Sequence, residues 1–297
     1  MVAMQALTPG RVWWSAVRPA TLAASVAPVL GGTAIAVHDG MLRPIAGAAA
    51  LLVAIAMQLG VNFANDYSDF KRGADSPRRI GPVRAASSGI VEPSQVRLAA
   101  WLAFGIAGLV GVILSLATDW RLIVIGAACL LAGWLYTGGP RPYGYLGLGE
   151  VFVFIFFGLV ATCGTVYVEE LRVTPLALLI SCSFGLLASA ILVLNNLRDI
   201  ETDAAAGKRT LATRIGRQPT QYLLLVMTCA AFVVPLAAYL AQMAPMTVLF
   251  AYLAAPIAVP PLRSAFATAS APVLVAALKR MAMTELAFAL FLAAGMI

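Results

Sequence analysis

Apolar residues come in long runs broken by short polar stretches. Runs at 16–38, 44–63, 97–117, 121–137, 148–168, 174–194, 221–240, 245–262 and 284–297 approach the ~20 residues that carry a helix across a bilayer. The pattern predicts an all-α, polytopic membrane protein of about nine transmembrane helices, with residues 1–297 forming a single domain. The run at 284–297 is only fourteen residues long. Two of the polar breaks are long, about 64–96 and 196–220; the other connections are short.

Each long break opens on a cluster of Asn and Asp. The first is Asn62-Phe63-Ala64-Asn65-Asp66-Tyr67-Ser68-Asp69, and the second runs from Asn195 to Asp203. Residues three and four apart share a helix face, so Asn62, Asp66 and Asp69 form one polar stripe, with Asn65 four residues before Asp69. Asn195, Asp199 and Asp203 form the other stripe. Glu201 projects off it, and Arg198 is read with Glu201. Each cluster is followed by a glycine with basic neighbours, Lys71-Arg72-Gly73 and Gly207-Lys208-Arg209. This weak internal repeat places equivalent helix ends on two sides of a common cavity.

Composition agrees with the membrane reading: 61% of residues are hydrophobic and 11% charged, against about 25% charged in soluble domains. Lys and Arg sort by loop, seventeen on one side and three on the other. Positively charged loops stay cytoplasmic, so the N-terminus, both Asp clusters and the mouth of the cavity are expected on the cytoplasmic face of the plasma membrane. The net charge of +7 is then a topology signal and an attraction to anionic lipid or substrate. Nucleic-acid binding is excluded as a reading because there is no soluble basic domain. Cys129, Cys163, Cys182 and Cys229 fall inside the expected spans without paired spacing and read as small core residues. His38, the single histidine, lies in an outer loop, which removes histidine-based catalysis.

A carboxylate deep in a bilayer costs roughly 2.5–3.5 kcal/mol, so four aspartates at two helix ends call for a compensating partner. Hard cations such as Mg2+ take oxygen ligands, typically one or two carboxylates with water and phosphate oxygens completing the shell. Facing stripes would hold such ions, and the ions would grip a diphosphate. Lys208, Arg209 and Arg141 are the expected counter-charges for the diphosphate oxygens. The stretch Tyr136–Tyr145 is fixed by glycines and prolines as a tight loop, read either as a plain turn or as a lid bringing Arg141 and Tyr136 over the site. Arg18 and Glu150 open spans beside it and face the same pocket. An ion-coupled transporter or a lipid-binding scaffold remains an alternative to an enzyme.

At these residues the chain resembles the UbiA-type intramembrane prenyltransferases. The signature of that superfamily is Asn-Asp-x-x-Asp after the second helix and Asp-x-x-x-Asp after the sixth, matched here by Asn65-Asp66-x-x-Asp69 and Asp199-x-x-x-Asp203. Gly73 stands where many members carry a further Asp, with Asp75 two beyond. Tyr136 is followed four residues later by Pro140 in place of the common Lys, and Arg141 comes next. The segments 65–75, 136–150 and Asn196 through Ala212 resemble the menaquinone-pathway branch of the family. The resemblance implies transfer of a prenyl group from a polyprenyl diphosphate to 1,4-dihydroxy-2-naphthoate, with loss of CO2 and diphosphate, giving demethylmenaquinone. It also implies Mg2+, as two ions, on Asp66, Asp69, Asp199 and Asp203, with Asn62 and Asn65 assisting. Arg141, Lys208, Arg209, Tyr136, Asn196 and Arg18 would contact substrate. Acceptors such as 4-hydroxybenzoate, haem or chlorophyllide occur in the same superfamily and stay open.

Overall fold

The computed structural model describes residues 8–73, 81, 83–267 and 270–297, and among them every regular element is helical. The chain opens with α1 (Pro9–Val17), α2 (Pro19–His38), α3 (Pro44–Lys71), α4 (Pro93–Ala117) and α5 (Leu122–Leu135). Next, α6 (Gly149–Val153) widens into a π-helical stretch, Phe154–Val160, and continues as α7 (Ala161–Glu170). The long α8 (Pro175–Ala205) and the short α9 (Leu211–Ile215) precede α10 (Arg217–Leu240). A 3-10 stretch, Met246–Ala254, leads into α11 (Ala255–Phe266), and α12 (Ala271–Met296) closes the bundle. Proline sits in the first turn of α1 to α4, α8, α11 and α12. There its missing N–H is no loss and its fixed φ favours the helix.

Seven helical segments of the described residues are long and apolar enough to cross a membrane. Two expected spans differ in extent from the helices found there. The run at 121–137 becomes α5, whose 14 residues reach only about 21 Å, short of a ~30 Å hydrocarbon core. The run at 284–297 is the second half of α12, which starts at Ala271; Lys279, Arg280 and Glu285 inside the helix hid its beginning.

Helix α8 is the hub, packing against α10, the π-helical stretch, α12, α2 and α7. Between apolar helices in lipid there is little water to expel, so association rests on close van der Waals contact. Glycines supply the approach at two points. A Cβ on Gly158 would stand 2.6 Å from the Gly185 Cα, and one on Gly31 would stand 2.1 Å from the Phe184 ring. Phe184, Phe288 and Phe232 then interlock edge to face at 5.7 and 5.3 Å between centroids. The opposite polarity rule holds at the periphery, where Leu98, Trp101, Leu102, Leu109, Ile113 and Leu116 of α4 all point outward, as a lipid-facing stripe requires. Of the four cysteines only Cys163 is buried, and Cys229 is exposed, so the core reading holds for one of them.

Candidate active site

Helices α3 and α8, at 28 and 31 residues, extend to about 42 and 46 Å and overshoot the hydrocarbon core. Their last turns carry the two polar clusters to one end of the bundle. There Lys208, just after α8, reaches across to α3 and donates to Asp69 Oδ1 at 3.0 Å. A cavity of about 1410 Å³ opens between them, lined by Asn62, Asn65, Asp69, Asn196, Asp199 and Asp203 among others. Typical ligand pockets occupy ~300–1,000 Å³, so this one has room for two substrates. Its deeper wall is apolar, with Gly111, Gly126, Phe152, Phe156 and Leu192.

Asp69 is almost wholly buried and takes donors from three other segments: Arg84 at 2.9 Å, the Tyr145 hydroxyl at 2.6 Å and Lys208 at 3.0 Å. Burial, and after it the facing Asp69 carboxylate, push the Tyr145 phenol above its ordinary range, so it stays a proton donor. The Tyr145 ring lies beneath two cations, 4.9 Å from the Lys208 ammonium and 5.3 Å from the Arg72 guanidinium. Arg72 also donates to the Gly139 carbonyl and ties the end of α3 to the 136–145 loop. On α8, Arg198 reaches both oxygens of its neighbour Asp199, the Nε contact at 2.7 Å, and donates to Asn195 at 2.9 Å. Arg198 was expected to point away, but its long side chain folds back over the stripe.

The asparagines are engaged as fasteners. Asn62 accepts from Gln58 at 2.9 Å and donates to the Val17 carbonyl at 2.8 Å and to Thr21 at 3.0 Å. It thereby clamps the elbow between α1 and α2 at Arg18, a non-glycine residue held at φ 52°. Backbone strain of this kind tends to gather at functional sites, and the Arg18 side chain lines the cavity. Asn65 accepts from Thr137 at 2.5 Å, and Asn196 donates to Glu150 at 2.9 Å.

The sequence-expected residues divide accordingly. Asp69, Asp199, Asp203, Lys208, Tyr136, Asn62, Asn65, Asn196 and Arg18 come together on the cavity wall. Three do not. Arg141 and Arg209 are exposed and lie off the cavity. Asp66 is fully buried, and its oxygens accept from the backbone N–H groups of Ala85 and Ala86, away from the lining. Lid residues do reach the site, through Thr137 and Tyr145 rather than Arg141. Arg84, Arg198 and Tyr145 are the residues that sequence reasoning missed; only the Tyr-rich loop gave a signal for one of them. Asp75 lies outside the described residues.

The donor set of the two polar clusters suits a hard divalent ion, because it is made of carboxylate and amide oxygens. Arg84 and Lys208 already hold positive charge against Asp69, where a metal ion would place it. Among the described residues, no three acidic, Cys or His side chains are grouped closely enough to hold a metal alone. An ion here therefore needs water or phosphate oxygens to complete its shell, as Mg2+ commonly does.

A family model described as the UbiA prenyltransferase family matches residues 25–271. The 1,4-dihydroxy-2-naphthoate octaprenyltransferase of Mycobacterium tuberculosis is 46% identical over 211 residues, covering 71% of this chain and 72% of that protein. Among solved structures, a UbiA homolog from Aeropyrum pernix K1 matches with a TM-score of 0.68 at 15% identity, over 96% of this chain and 97% of that one. A UbiA homolog from Archaeoglobus fulgidus bound to GPP and Mg2+ gives 0.65 at 12% identity, over 95% and 99%. At those identities the structural matches speak for the fold.

Proposed function

The chain belongs to the UbiA prenyltransferase family, and from that membership we propose that it transfers a polyprenyl group from polyprenyl diphosphate to 1,4-dihydroxy-2-naphthoate. The relative from M. tuberculosis carries that activity in its name. The bond between the prenyl C1 and the diphosphate oxygen breaks, and its electron pair leaves with the diphosphate. The ring carbon bearing the carboxylate bonds to C1, and CO2 departs. The product is the reduced form of demethylmenaquinone. The whole chain acts as one domain, in the plasma membrane with the site at the cytoplasmic face.

Asp69, Asp199 and Asp203, with Asn65 beside them, would hold Mg2+ as two ions, which would supply charge neutralisation of the leaving diphosphate. The Mg2+ bound to the A. fulgidus homolog supports this choice of ion. With the ions bound, Lys208, Arg84 and Arg198 would be placed to take the diphosphate oxygens. At 4 Å and an effective dielectric of 20, each such unit-charge contact is worth on the order of 4 kcal/mol before desolvation. Arg18, held at its strained elbow, faces the acceptor carboxylate. The apolar wall excludes water from the electron-poor C1 and passes the prenyl tail toward lipid.

The observation that carries this reading is that carboxylates from α3 and α8 line one cavity, where Lys208, just after α8, reaches Asp69 of α3 at 3.0 Å. Purified protein incubated with dihydroxynaphthoate, Mg2+ and radiolabelled polyprenyl diphosphate is expected to yield a lipid-soluble naphthoquinol and free diphosphate. Turnover of 4-hydroxybenzoate with none of the naphthoate would reassign the acceptor. Retention of the prenyl diphosphate without release of diphosphate would make the chain a binding scaffold.

A further inference from the structure

Asp66 occupies a position in the signature where a metal ligand is expected, but its surroundings are those of an anchor. The residue is 0% exposed and does not line the cavity. Its oxygens accept from two consecutive backbone N–H groups, Ala85 at 2.8 Å and Ala86 at 3.2 Å. Successive N–H groups of one turn make a small cradle for an anion, and hydrogen bonds to an ionised acceptor are the stronger kind. Withdrawing the carboxylate toward a metal would strand two buried donors.

The residue just before that turn is Arg84, whose side chain donates to Asp69 at 2.9 Å. Two carboxylates three residues apart on α3 therefore grip consecutive residues of one loop, Asp66 through the main chain and Asp69 through the side chain. Ala85 and Ala86, 0% and 3% exposed, are seated in an apolar cluster with Val12, Phe63 and Ala64. The turn is thus fixed by apolar packing and by charge together, and Arg84 is delivered to the cavity wall.

We propose that Asp66 is a positioning residue and not a metal ligand: it fixes the turn at Ala85 and Ala86 so that Arg84 stands at the cavity, where it exchanges Asp69 for a diphosphate oxygen. The diphosphate assigned to Arg84 rests on the prenyl-transfer reading; the anchoring by Asp66 does not.

The test uses the full chain in lipid nanodiscs. Asp66→Asn is expected to speed amide exchange at Ala85 and Ala86 by roughly tenfold, the scale of one charge-assisted hydrogen bond. It should raise KM for polyprenyl diphosphate by a similar factor while kcat falls less. The midpoint for Mn2+ binding with inorganic diphosphate, read by electron paramagnetic resonance, should stay near wild type in Asp66→Asn and move in Asp69→Asn. A Mn2+ midpoint displaced in Asp66→Asn as far as in Asp69→Asn, with exchange at Ala85 and Ala86 unchanged, would overturn the proposal. Should Asp66→Asn not fold, Arg84→Gln carries the test. It is expected to raise KM for the diphosphate and leave the Mn2+ midpoint in place, and an unchanged KM would overturn the role given to Arg84. Wild-type protein that binds neither Mn2+ nor diphosphate would remove the prenyl-transfer reading, and the exchange measurement would still judge the anchor on its own.

Discussion

The ends of α3 and α8 carry nearly the same chemistry and are built differently. At α3, Asp69 is held by Arg84, Tyr145 and Lys208, which lie 15, 76 and 139 residues away in the chain. At α8, the residue next to Asp199, Arg198, reaches both of its oxygens. Among the described residues, one carboxylate is a crossing point for three segments, whereas the other is met by a neighbour on its own helix. Similar motifs at two helix ends therefore do not have equal structural weight, even where both face the same cavity.

Replacing either carboxylate gives the largest effect and tests the contrast. Asp69→Asn and Asp199→Asn should each lower Mg2+-dependent diphosphate release by about a hundredfold or more, the loss typical of one missing electrostatic element in an active site. Ligand-free stability should separate them. Asp69→Asn leaves Arg84 and Lys208, both little exposed, facing a neutral amide, and breaking a buried pair costs about 3–5 kcal/mol. Asp199→Asn leaves Arg198 with Asn195 still 2.9 Å away. Thermal unfolding without ligand should show the larger drop for Asp69→Asn; equal drops would erase the distinction between the two ends.

The same contrast explains what could be read in advance. The polar stripes on α3 and α8 were legible because helical spacing puts Asn65 with Asp69 and Asp199 with Asp203 on shared faces, and the apolar runs located the helices that carry them. Arg84 and Tyr145 were not legible as site residues, since their link to Asp69 is made by tertiary packing and leaves no mark in local spacing. Asp66 satisfied the periodicity, but its bonds to the Ala85 and Ala86 main chain could not be read, because backbone N–H groups are invisible to side-chain pattern. The start of α12 was hidden by Lys279, Arg280 and Glu285, of which Lys279 lines the cavity and Glu285 is fully buried. Charge inside a helix interrupts a hydropathy run without interrupting the helix.

A smaller effect sharpens the α3 side alone. Tyr145→Phe removes the 2.6 Å hydrogen bond to Asp69 and retains the ring beneath Lys208 and Arg72. With the phenol held protonated, the loss should not vary with pH across the neutral range. A cost of about 1.5–3 kcal/mol is expected, the net worth of one hydrogen bond to a charged group, and it should appear in thermal unfolding at pH 6 and pH 8 alike. A loss as large as that of Asp69→Asn would mean that the aromatic residue, and not the ion pairs, holds the crossing together.

The smallest effects are expected from the two cations that the sequence favoured and the fold turned outward. Arg209 follows Lys208 directly, yet one step along the chain separates the cavity wall from the surface. What position 209 contributes is main chain: its N–H donates to the Tyr145 carbonyl at 3.2 Å, and its carbonyl accepts from Arg214 Nε at 3.2 Å. Arg209→Ala keeps both bonds, and Arg141→Ala removes an exposed side chain. Turnover in each variant should stay within about twofold of wild type, as for other surface substitutions, while Lys208→Ala at the neighbouring position takes away the bridge to Asp69. A loss from Arg209→Ala comparable to that from Lys208→Ala, measured as diphosphate release at saturating Mg2+, would mean that the side chain swings inward when substrate binds and that the α8 end draws in cations of its own.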